Sequence, residues 1–243
     1  MRLSKSWDVT SKDFEVFLKK KNLIFSLLAF PLFISILLTF VVEYVGGSGS
    51  GAGELLILLP SFTFYYAIIA ALLPTTIASY SLVGEKIEKS LEPLLATPMT
   101  DEEILLGKGM AAFIPPMGAT FLGAFMFMVF TNLITHSAFG YYYFPNLDAG
   151  FILLLLAPLS AMLSIEVNVM ISSRVSDVRV SQQLGSLTVF PMAGAYLASE
   201  LGIITLDATN LFIISGILAI TDALLLFVAR ATFQRDQILT RWK

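Results

Sequence analysis

An all-α membrane protein of six transmembrane helices, with both termini and every Lys and Arg on the cytoplasmic side, is what the sequence predicts. Three observations lead there. The chain is 56% hydrophobic and 14% charged with a mean hydropathy of +0.81, whereas a soluble domain is about 25% charged. Six apolar segments are long enough to cross a hydrocarbon core of about 30 Å at 1.5 Å per residue. All fifteen basic residues fall on alternate connections between those segments.

The six segments are Leu23 to Val45, Leu55 to Val83, Met110 to Ile134, Phe151 to Ser173, Leu184 to Ile204 and Leu211 to Ala229. The first is too long for a signal-peptide core and lacks a small-residue cleavage site, so it reads as a retained span. The fifth is rich in Gly, Ser and Thr and is the weakest of the set; its outer end could be re-entrant or interfacial. The domain organisation follows: a cytoplasmic or interfacial segment over 1–22, one membrane domain over 23–229, and a cytoplasmic tail over 230–243.

Orientation comes from the basic residues, which short cytoplasmic loops accumulate. The N-terminal tail carries six, the second-to-third connection three, the fourth-to-fifth two and the C-terminal tail four. The three connections of the other parity, 46–54, 135–150 and 205–210, carry none. An even number of spans follows.

In the N-terminal segment Trp7, Phe14, Phe17 and Leu18 recur at roughly helical spacing among charges. With Thr10 and Asp13 placed to cap, a helix over 10–21 lying in the membrane interface is expected. Tyr141, Tyr142, Tyr143 and Phe144 suit an interfacial aromatic belt on the other face. The Gly/Ser run 46–51 is a flexible turn.

The connection over 84–108 is more than a polar linker. Ile87, Leu91, Leu94 and Leu95 stand at i, i+4, i+7 and i+8, one apolar helical face beside charged neighbours. Pro93 fits a fresh first turn capped by Ser90, and Thr97-Pro98 ends that piece. Thr100 with Glu103 makes a capping box for the next helix, whose positive end Asp101 and Glu102 favour. Two short helices joined by a proline turn are expected. Their apolar stripe either rests on the membrane and the span ends or docks a cytoplasmic partner, and periodicity leaves both readings open.

The same residues carry a family resemblance. Glu85-Lys86, Leu91-Glu92, Leu94-Leu95, Thr97-Pro98 and Gly107-Lys108 resemble, in order and spacing, the signature of type-2 permease subunits of ABC transporters. The six-span layout extends the likeness loosely over the whole chain. The resemblance implies a plasma-membrane permease whose second-to-third loop is a coupling helix, with Glu85, Lys86, Ile87, Leu91, Glu92, Leu94, Leu95, Thr97 and Pro98 meeting a separate cytoplasmic ATP-binding subunit. It also implies a second permease copy, identical or related, within the assembly. The chain has no G-x-x-x-x-G-K-[ST] phosphate loop, so ATP and Mg would belong to the partner. This chain needs no cofactor of its own and is not expected to be an enzyme. Membrane lipids are its other partners, and nucleic acid is not among them.

Within the spans Glu166 and Asp222 are the ionisable residues that stand out, each about 10 Å from the cytoplasmic end of its helix. Ser160, Ser164, Asn168 and Ser172 form an i+4 polar stripe, and Glu166 points to roughly the opposite face. Either the carboxyls and Asn168 serve packing, or they face a substrate route or an ion pathway. The second case admits an ion-coupled secondary transporter as the alternative function. Small residues at Ala119/Gly123 and Gly194/Ala198 permit close helix approach. Pro115-Pro116 should kink the third span. A lone His136 with no cysteine in the chain argues against a metal site. The serines lack a G-x-S-x-G context, and nothing else points to catalysis.

Overall fold

The computed structural model describes residues 3–47, 52–87 and 99–232. Among them there are eight helices and no strand. They are α1 (Leu3–Lys19), α2 (Lys21–Gly47), α3 (Ala52–Ile87), α4 (Asp101–Phe139), α5 (Leu147–Arg174), α6 (Val178–Gly185), α7 (Val189–Glu200) and α8 (Ala208–Thr232). Five of them, α2, α3, α4, α5 and α8, are long and apolar enough to cross a membrane. They give the chain the character of a multi-pass membrane protein.

Helix α3 is the centre of the bundle because its small residues let neighbours approach. Ala67, Ala70, Ala71 and Ala78 are all buried, and α3 packs against α2, α4, α5, α6 and α7. Helices α2 and α8 are peripheral and turn aromatic and aliphatic side chains outward. Phe25, Phe33, Phe40, Ile220 and Phe227 are each more than 60% exposed. Water would penalise so large an apolar face, whereas lipid removes the penalty.

The fifth apolar segment departs from a simple span. Its first two residues, Leu184 and Gly185, end the amphipathic α6, and the rest forms a 3₁₀ turn over Ser186–Thr188 and the twelve-residue α7, which alone is only about 18 Å long. Tertiary packing makes the break. Gly185 is pressed so closely onto the Asn168 amide of α5 that a Cβ there would overlap it, and the Thr188 hydroxyl donates to Gly185 O at 2.7 Å. Helix α7 then ends with Gly202 at φ 71°, where the Ile203 N–H reaches back to Ala198 O at 2.9 Å.

Helix α5 opens with Asn146 capping the Ala149 N–H at 2.8 Å and carries a π-helical turn over Ile152–Leu156. The approach to it is pinned from α4. Asn132 accepts from Phe144 N at 2.8 Å and donates to Phe144 O at 2.9 Å. Phe144 is consequently buried against Phe127, so it belongs to the core rather than to an aromatic belt. Tyr141 and Tyr142 are exposed, and Tyr142 stacks on His136 with ring centroids 4.6 Å apart. Burial, reinforced by the Asp148 charge, pushes the Tyr143 phenol up to about 12.

Candidate functional site

At the end of the bundle where α4 starts and α3 approaches its last turns, α1 is the organising element. It starts earlier than the expected helix over 10–21, so Thr10 and Asp13 lie inside it and do not cap it. They bond across to α4 instead. Ser6, Val9, Thr10, Asp13 and Phe17 share one helical stripe. Ser6, Val9 and Thr10 are buried, Thr10 Oγ1 donates to Ser6 O at 2.9 Å and Gly107 O at 3.0 Å, and Asp13 pairs with Lys108 at 3.5 Å. A Cβ on Gly107 would lie 2.7 Å from both Ser6 O and Val9 Cβ. Gly107 therefore permits the contact, and Lys108 charges it. Trp7 and Leu18 lie outside this stripe and are exposed.

The segment α2 starts after a one-residue break at Lys20, whose ammonium sits 3.4 Å above the Tyr80 ring of α3. The ends of α3 and α4 that flank the signature loop are thus both held by the α1/α2 corner. Glu85, Lys86 and Ile87 form the last turn of α3, and Ile87 is exposed. Leu91, Glu92, Leu94, Leu95, Thr97 and Pro98 lie outside the described residues.

The capping box is present in full. Glu103 N donates to Thr100 Oγ1 at 3.3 Å, and Thr100 N to Glu103 Oε2 at 3.1 Å. The helix it opens is not the expected short one. It is α4 itself, 39 residues or about 58 Å, so Gly107-Lys108 sits two turns inside a continuous helix. That helix also runs through Pro115 and Pro116. Farther along, Gly123 receives α2: a Cβ there would meet Pro31 at 2.7 Å, and Gly123 O accepts from Ser35 Oγ at 2.7 Å. Gly194, by contrast, faces open space and makes no close helix approach.

The polar stripe of α5 points inward. Ser160, Ser164, Asn168 and Ser172 are all fully buried. Asn168 accepts from Ser79 Oγ of α3 at 2.8 Å and donates to Ser164 O at 2.7 Å. Ser172 bonds Ser181 of α6 at 2.9 Å, and Ser160 donates to Met192 Sδ of α7 at 3.1 Å. Asn168 is therefore occupied in bonding α5 to α3, with Gly185 of α6 packed on its amide.

Glu166 stands on the other side of α5, in the wall of a groove of about 210 Å³ that α5 floors and α4 and α8 flank. Asp222 of α8 is near enough for the two charges to act on each other. Both Asp222 carboxyl oxygens and Glu166 Oε2 are buried without a hydrogen-bond partner. The sequence singled out each carboxyl, and packing of α5 on α8 brings them together. Missed altogether were the α1 contacts of Asp13 and Lys108 and the seat of Gly185 on Asn168, since a charged or glycine position carries no sequence mark of its partner.

Among the described residues no group of three or more His, Asp or Glu side chains could hold a metal ion. Comparison with protein-family models and with curated proteins finds no match.

Proposed function

We propose that the chain is the membrane permease subunit of an ABC transporter, working as an exporter driven by ATP hydrolysis in a separate subunit. In this reading the α6–α7 segment completes six spans in the plasma membrane, both termini are cytoplasmic, and the loop between α3 and α4 is the coupling helix. A second permease copy completes the pathway.

The observation that carries the reading is the bracing of both ends of that loop. Lys20 lies over Tyr80 on the α3 side, and Asp13 pairs with Lys108 on the α4 side. A loop that receives force from a partner must sit on elements that move as one body, and the α1/α2 corner, through Asp13 and Lys20, touches both ends. The residue pattern from Glu85 to Lys108 supplies the family reading.

Purification of the tagged chain from its native membrane under mild extraction tests it. A stoichiometric protein carrying a phosphate loop is expected, and it should be lost when Leu91, Leu94 and Leu95 are changed to Asp. Absence of any such ATPase would refute the permease reading. The unpartnered Glu166 and Asp222 favour a second reading, an ion-coupled secondary transporter, which requires transport by the purified chain alone under an ion gradient without ATP.

A further inference from the structure

We propose that the groove between α4, α5 and α8 is a binding site for a lipophilic organic cation. Binding itself does not depend on the permease reading; that the cation is the transported cargo rests on it.

Charge is the first argument. Asp222 is 6% exposed and shares a stripe of α8 with Leu226 and Ala229, at i, i+4 and i+7, and those two line the groove with Glu166. Three carboxyl oxygens of this pair are buried and unpartnered. An unpaired carboxylate in apolar surroundings is costly, and the basic residues of these helices, Lys108, Arg174 and Arg230, stand toward their ends, with Lys108 paired to Asp13. There is no Lys or Arg between Gly109 and Ser173 or between Val180 and Ala229. A positive ligand offsets that cost, an anion adds to it, and a neutral molecule leaves it unchanged.

The lining decides what kind of cation. A metal ion needs several oxygen ligands to replace its water, and here, apart from the carboxylates Glu102 and Glu166, the walls are apolar: Met110, Phe113, Met162, Ile165 and Leu226 among them. An alkylated or delocalised cation holds its water weakly and carries apolar groups that gain from burial. The Phe113 ring can take the cation on its face, and Met110 and Met162 adapt to irregular substituents. The groove opens to the surface of the bundle and reaches the exposed Glu102 at the start of α4, so a ligand can enter it from outside the bundle.

Calorimetric titration of the purified full chain in neutral-lipid nanodiscs, without ATP, tests the site with benzyltrimethylammonium as probe and benzenesulfonate as an anion of similar size. Saturable binding of the ammonium and none of the sulfonate is expected. Glu166→Gln and Asp222→Asn should each weaken it at least tenfold. Met162→Trp, at a half-exposed position of the wall, should block binding without touching either carboxyl, which keeps the test decisive should a carboxamide variant misfold. Equal binding of the two ions, no saturable binding of the ammonium, or ammonium binding unchanged by Met162→Trp would overturn the proposal. The last two are also the outcomes expected if the carboxyls hold only protons. Cation binding by a chain that brings no ATPase would leave this site standing and remove the permease reading; a co-purifying ATPase without cation binding would do the reverse.

Discussion

Lys108 Nζ lies 3.5 Å from Asp13 Oδ2, with the lysine side chain only 1% exposed. The pair joins the first helix of the chain to the start of a 39-residue helix almost a hundred residues later. Removing Asp13 takes an ion partner from a buried ammonium, and removing Lys108 takes one from a carboxylate that is 17% exposed. Asp13→Leu should cost at most about 3–5 kcal/mol, Lys108→Met less, and the double replacement should restore part of the loss. Thermal unfolding of the four proteins in one detergent measures this. Limited proteolysis of α1 should accelerate in the single variants. A double variant no more stable than the singles would show that the pair is not coupled.

Gly107, beside that lysine, makes a steric version of the same test. A methyl group there must displace the α1 backbone at Ser6, so Gly107→Ala should destabilise by about 1–3 kcal/mol through overpacking and expose α1 to protease. Gly109 has open space around its Cβ position. Gly109→Ala should leave α1 protected, and equal proteolysis of the two variants would remove the steric account.

At the junction of α5 and α6, Gly185→Ala should be among the most damaging single methyl additions in the chain, because it strikes the Asn168 amide, which is held by Ser79 and Ser164. In an Asn168→Ala background the added methyl meets less and should cost at least 1 kcal/mol less. That difference is the coupling energy of a double-mutant cycle. Additive effects would mean that the glycine's role lies elsewhere.

Asn132 ties down the segment before α5 with both halves of its amide. Asn132→Leu leaves the buried Phe144 backbone N–H and C=O without these partners, at about 1–3 kcal/mol, whereas Asn132→Asp keeps the acceptor for the Phe144 N–H but sets a second acceptor against the Phe144 C=O. Hydrogen exchange at the Phe144 amide separates the two variants. Exchange unchanged in both would mean that the bonds contribute nothing to order there.

Local chemistry was legible in the residues alone. Thr100 and Glu103 announce their capping box because both partners lie within one turn, and the five long apolar helices announce themselves by composition over some twenty residues each. The length of the helix that Thr100 opens was not legible. Residues 101–108 read as a short helix of the connection until α1 covers Gly107 and pairs with Lys108. Likewise Leu184 to Ile204 has the composition of a span, and only the pressure of Asn168 on Gly185 shows why the helix tightens and breaks there.

The sequence by itself determined a helical membrane protein, since apolar surface and backbone hydrogen bonding in lipid admit few other forms. Tertiary structure alone decided which distant residues come near one another: Asp13 pairs with Lys108, Gly185 packs on Asn168, and Glu166 lies within electrostatic range of Asp222. The physical reason is that helix formation satisfies the backbone within each segment, while neutralising a charge or closing a gap requires a side chain from another helix, and no periodicity along the chain records which one.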